Sequence, residues 1–111
     1  MKFLITEGKF ENVVFSYLDN QNFITIKTKK SIHFVYNTKD KFAQIVYDLD
    51  DGYCYVWHKF MERFQNFFSF VDELTAQTYI GKWVETQVND SVENVHTSWT
   101  NFIDEIPNHR K

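Results

Sequence analysis

The residues of this chain able to do chemistry are a lone cysteine, scattered histidines and one dense run of acids. Cys54 is the single cysteine, and His33, His58, His96 and His109 lie far apart along the chain. Structural zinc sites use paired ligands a few residues apart, and no such pairing occurs here. Cys54 and His58 are four apart, but a strand-to-helix junction falls between them, so they need not share a face. As a nucleophile and base they would also need a third, orienting group, and none is identifiable. Asp48-Leu49-Asp50-Asp51-Gly52 has the look of a cation loop. An EF-hand beginning at Asp48 requires Gly at its sixth position and Glu at its twelfth, where this chain has Tyr53 and Lys59. An acidic hairpin turn accounts for the run better.

Other catalytic signatures are missing too. The sequence contains no G-x-S-x-G elbow, P-loop or dinucleotide fingerprint, and its 3 glycines leave little material for a phosphate-cradling loop. Asp72-Glu73 and Asp104-Glu105 are neighbours whose side chains diverge on a helix. The sequence therefore assigns no catalytic, cofactor-binding or metal-binding residue, and a non-enzymatic protein is expected.

Charge and composition narrow the partners. The net charge is −3, and the lysines at 27, 29, 30, 39 and 41 read as solvated hairpin ends. Nucleic-acid binding through phosphates is disfavoured. A single cysteine fits a reducing compartment. M-K-F-L-I-T-E-G-K is neither a signal peptide nor an anchor, and no window reaches transmembrane length. A soluble, intracellular protein with no membrane partner is the expectation.

The elements that would position these residues form one α+β domain over 1–111. Phe10, Val13, Val14, Tyr17 and Leu18 recur at the spacing of one buried helical face. Thr6 serves as N-cap, Ile5 and Phe10 as a hydrophobic staple, and Asp19 to Asn22 as the stop. Four β-type runs follow: Phe23 to Thr28, Ile32 to Tyr36, Phe42 to Asp48 and Tyr53 to Trp57. Lys29-Lys30, Asn37 to Asp40 and Asp51-Gly52 supply the turns. This predicts a four-stranded antiparallel meander. From His58 the period becomes 3.6, with Phe60, Met61, Phe64, Phe67 and Phe68 on one stripe. Ser69 to Asp72 breaks it. A third helix runs from about Thr75 to Asn89, with Ala76, Ile80, Trp83, Val84 and Val88 inward. Gly81 either permits close packing or weakens that segment. A short final helix from Ser98 to Glu105 is predicted, stopped by Pro107, with a strand through Val92 to Trp99 as the alternative.

The core is aromatic by composition, with 12 Phe, 6 Tyr and 3 Trp. Helices are expected to pack on one sheet face and leave the other partly apolar. Candidate partner-binding residues are Tyr53, Tyr55 and Trp57, or their alternates His33 and Val35, together with Asp48, Asp50 and Asp51.

Three pieces carry a resemblance. L-I-T-E at 4–7 with Y-L-D-N-Q-N-F-I at 17–24, A-Q-I-V-Y-D-L-D-D-G-Y-C-Y-V at 43–56, and I-G-K-W-V-E at 80–85 resemble small uncharacterised proteins of large tailed, particularly marine, bacteriophages. The likeness spans roughly 4–86, and its middle piece, joined to F-F-S at 67–69, is the most specific. It implies a viral origin and expression in the cytoplasm of a bacterial host, and it carries over no functional residue. The expectation that follows is a protein-binding module, a phage accessory or host-takeover factor acting on a host protein. A virion structural or assembly role through self-association is the alternative, and a homodimer through a sheet edge or an aromatic patch stays open. A small enzyme or metal protein built on Cys54 and His58 ranks below both.

Overall fold

The computed structural model describes residues 7–101. Helix α1, Glu7–Asp19, buries Phe10, Val14 and Leu18 as its periodicity predicts. Val13, expected on that face, is 48% exposed because it stands on the flank of the stripe. Thr6 and Ile5, the predicted cap and staple, lie outside the described residues. Asn22 takes the left-handed conformation (φ 56°) that ends the segment, a backbone state Asn tolerates better than most residues. Trp83 Nε1 donates to Asp19 Oδ1 at 2.9 Å, tying the end of α1 to the third helix.

Strands β1 (Ile24–Lys27), β2 (Ser31–Val35), β3 (Ile45–Asp48) and β4 (Tyr53–Trp57) form the predicted antiparallel meander. Thr28 Oγ1 accepts from the N–H groups of Lys30 and Ser31, which sets the first turn. Asp40 Oδ2 accepts from Tyr36 and Asn37 and shapes the second. Gly52 (φ +76°) completes the third. Strand β3 begins at Ile45 rather than Phe42. The Ala43 N–H donates to the carbonyl of Asn101 at 2.8 Å, so the regular ladder cannot extend that far back.

Helix α2, His58–Phe67, follows β4 without a break, and α3 covers Glu73–Val88. Asp72 is the N-cap of α3, accepting from Thr75 N at 2.8 Å, which places a carboxylate where the helix dipole favours it. Asn89 (φ 57°) closes the other end. The sheet then gains a strand beyond the predicted meander. Strand β5, Asn94–Ser98, pairs in parallel with β4 and makes the order β1-β2-β3-β4-β5. This corrects the final helix: Ser98 ends a strand, and 102–105 lie outside the described residues. The alternative strand through Val92 to Trp99 describes the segment. The physical reason is the free edge of β4, whose N–H and C=O groups need a ladder partner, and Val95 and Thr97 suit a strand.

A parallel neighbour requires a crossover, here α2 and α3. Together with α1 they cover the sheet face formed by Ile32, Phe34, Ile45, Tyr47, Cys54 and Val56. The layer between is largely aromatic. Phe10 meets Tyr79 edge-on at 4.8 Å, Phe64 lies 4.8 Å from Phe68, and Phe34 5.5 Å from Trp83. Phe67, assigned to the buried stripe of α2, is instead 64% exposed and stacks at 4.6 Å on Tyr17.

Gly81 is where α3 meets β5. A Cβ there would lie 2.8 Å from Val95 Cγ2, closer than packed carbons tolerate, so only glycine admits this approach. Gly81→Ala is expected to cost about 1–3 kcal/mol of stability through overpacking. Adding Val95→Ala should recover part of that loss, since contacting sites are non-additive. Chemical denaturation of the two single variants and the double variant measures the coupling; simple additivity would mean the contact does not set the spacing.

Candidate functional site

Alternation along β4 sends Cys54 and Val56 into the helix-covered layer, and so Tyr53, Tyr55 and Trp57 to the opposite face. The sheet register decides what surrounds them. One cross-strand row on this face reads Ile26, His33, Val46, Tyr55, His96. Tyr55 and His96 stack with centroids 5.7 Å apart and planes 23° apart. Tyr53 lies 5.3 Å from His96 and 6.5 Å from Tyr55. These three rings form a platform spanning two strands. His96, which sequence reasoning left as an isolated histidine, is a central member. The signal that could have found it was the alternative strand, in which Val95 faces inward and His96 outward.

His33 and Val35 are not alternates to the tyrosines. The register puts them on the same face, and both are buried, at 3% and 0% exposure. Val35 packs with Ala43, Ile26 and Val46 in a second, small apolar cluster. Neither residue offers contact surface, which corrects the expectation for both.

Trp57 belongs to a separate assembly that also packs against the helix-side core. It stacks on Phe42 at 4.8 Å with planes 7° apart, and Lys59 Nζ sits 5.8 Å over its ring. Next to it, His58 stacks on Trp99 at 3.8 Å. Beyond Trp99 the chain reaches the segment leading into β3, where Asn101 accepts from the Ala43 N–H and donates through Nδ2 to the Tyr55 carbonyl at 3.0 Å. Trp57 Nε1 and His58 Nδ1 are buried with no hydrogen-bond partner among the described residues. Trp57 is thus held by its own chain, while Trp99 is 70% exposed.

The acids sit at the Tyr53 end of the platform. Asp48 Oδ1 accepts from Asp50 N at 2.8 Å, and Asp51 Oδ1 accepts from Tyr53 N at 2.9 Å. Asp50 and Asp51 are exposed. This is turn chemistry, using one oxygen of each carboxylate. Glu93 joins the rim, its N–H donating to the Gly52 carbonyl at 2.8 Å. Burial pushes the Tyr55 hydroxyl up from its ordinary pKa, and the negative charges of Asp51 and Asp48 push it further. None of these acids is ion-paired among the described residues, whereas Lys82 and Glu11 meet at 3.8 Å elsewhere. The turn at Lys29-Lys30 shares this end of the sheet, while Lys39 and Lys41 lie at the opposite end, so the lysines form no single basic patch.

No group of three His, Cys, Asp or Glu among the described residues is placed to hold a metal. Cys54 and His58 do not form a pair: the thiol faces the core, and the imidazole stacks on Trp99. Burial pushes the Cys54 pKa up to about 12, which suppresses the nucleophilic thiolate. No described helix is long and apolar enough to cross a membrane.

The Cys54 shift has a definite sign. The folded thiol holds its proton to about pH 12, while the unfolded thiol titrates near its ordinary 9.0. The unfolded state therefore binds fewer protons between those values, and stability falls as pH rises through that window. Denaturant unfolding at about pH 8 and about pH 10.5 should show a larger loss for the natural chain than for Cys54→Val, with tyrosine titration common to both. Equal losses would place Cys54 outside the core.

No protein-family model, curated protein or solved structure matches this chain.

Proposed function

We propose that this chain is a non-enzymatic protein-binding module that holds its partner on the open face of β4 and β5. The observation that carries this reading is the Tyr53–Tyr55–His96 platform, three mutually packed rings on the face opposite the helices. Tyrosine supplies a large rigid contact area with a polar tip, and such residues dominate binding hot spots. A structural role for these rings would place them inside the aromatic core, where the other face already buries Phe34, Tyr47 and Phe60. The resemblance to proteins of large tailed phages supports a host protein as the partner and the host cytoplasm as the place of action. The chain is then an accessory or takeover factor that works by occupying a host surface.

Capture from bacterial lysate tests this, using the natural chain and a Tyr53→Ser/Tyr55→Ser variant of equal melting temperature. A host protein should be retained by the first and lost by the second. Equal retention on both, or nothing above bare resin, overturns the reading.

The edge strand β1 supports a second reading, self-association in a virion or assembly intermediate. Its outer backbone groups have no neighbouring strand among the described residues, and Ile24 is 42% exposed, the kind of edge that templates pairing between chains. Light scattering across a concentration series separates the two: the binding module stays at one mass, and the assembly component grows.

A further inference from the structure

We propose that the partner presents an arginine-bearing extended segment, whose guanidinium lies on the Tyr53–Tyr55–His96 rings and pairs with the carboxylates of Asp48 and Asp51. This rests on the protein-binding reading above and names the chemistry of its partner.

Charge complementarity argues for this occupant. Asp48 follows the inward-facing Tyr47 on β3 and pairs with Ser31 of β2, so by strand alternation it stands on the same face as the platform. Asp51 reaches the start of β4 through its bond to Tyr53 N. Each carboxylate commits Oδ1 to a turn bond, and neither is ion-paired among the described residues. Glu93 and the exposed Asp50 add negative charge at the same end. Aromatic faces attract cations electrostatically, and a guanidinium can stack on a ring while its N–H groups bond a carboxylate. Lys29 and Lys30 sit on the adjoining β1–β2 turn, where the Lys30 carbonyl accepts from Leu49 N at 2.7 Å, but neither is ion-paired with these carboxylates among the described residues. A nucleic-acid strand could stack bases on such rings, but its phosphates would meet this rim of carboxylates.

The test uses an isotopically labelled full chain titrated with a serine–arginine alternating peptide, its citrulline counterpart and oligothymidylate. The arginine peptide should move the ring resonances of Tyr53, Tyr55 and His96 and weaken with added salt. The citrulline peptide, and the Asp48→Asn/Asp51→Asn variant, should each bind roughly tenfold or more weakly, as loss of a charge-assisted contact implies. Asparagine keeps the oxygen that each turn bond requires, and the citrulline comparison needs no variant at all. Equal binding of the citrulline peptide, shifts confined to other residues, or oligothymidylate binding at the platform would each overturn the inference. A lysate partner lost by the tyrosine variant while the arginine peptide fails to bind would sink this inference and leave the binding-module reading standing.

Discussion

The parallel pairing of β5 with β4 is the constraint on which the rest of this fold depends. Strands joined in parallel cannot be linked by a tight turn, so the chain must leave the sheet after Trp57 and return before Asn94. Helices α2 and α3 make that excursion, and their apolar faces then cover the same side of the sheet as α1. Gly81 allows α3 to approach β5 at Val95 more closely than a residue with a side chain would. Without that contact the last strand would lose its support from above, and β4 would be an edge.

The two sheet faces divide the aromatics between them. On the helix side, Phe, Tyr and Trp rings meet mostly edge-on or tilted at 4.6–6.1 Å, filling a thin layer with few, large side chains. On the open side the rings stand in two groups. Tyr53, Tyr55 and His96 present a surface, while Phe42, Trp57, His58 and Trp99 bind the end of β4 to the segment that follows β5. Asn101 completes that strap with two hydrogen bonds, one from Ala43 just ahead of β3 and one to Tyr55 in β4. Among the described residues, the face away from the helices is engaged by its own chain at one end and bordered by acids at the other.

A polar chain locks the opposite edge of the helical layer. Arg63 donates to Tyr36 Oη at 2.9 Å and to Gln44 Oε1 at 3.1 Å, and Tyr36 Oη donates in turn to Gln21 at 2.6 Å. This joins α2, the β2–β3 connection and the end of α1. Burial raises the pKa of Tyr36 while the Arg63 charge opposes the rise, so the hydroxyl stays protonated and keeps its role as donor. The cation of Arg63 is spent on structure.

Periodicity in the sequence determined the meander, the three helices and most of their inward faces, because alternation of two and of 3.6 residues is a local property of the chain. Two of the turns were equally legible, since Asp40, Asp51 and Gly52 act on backbone groups within a few residues of themselves, while Thr28, read as the end of a strand, in fact sets the first turn. Strand β5 was not, because Val92, Val95 and Trp99 fit a helical spacing as well as a strand, and only the free edge of β4 decides between them. The same holds for the site. Tyr53, Tyr55 and the acidic turn were visible as residues, but their union with His96, and the burial of His33 and Val35, depend on register between strands far apart in sequence. Local chemistry wrote the pieces of this surface; long-range strand pairing decided which of them meet.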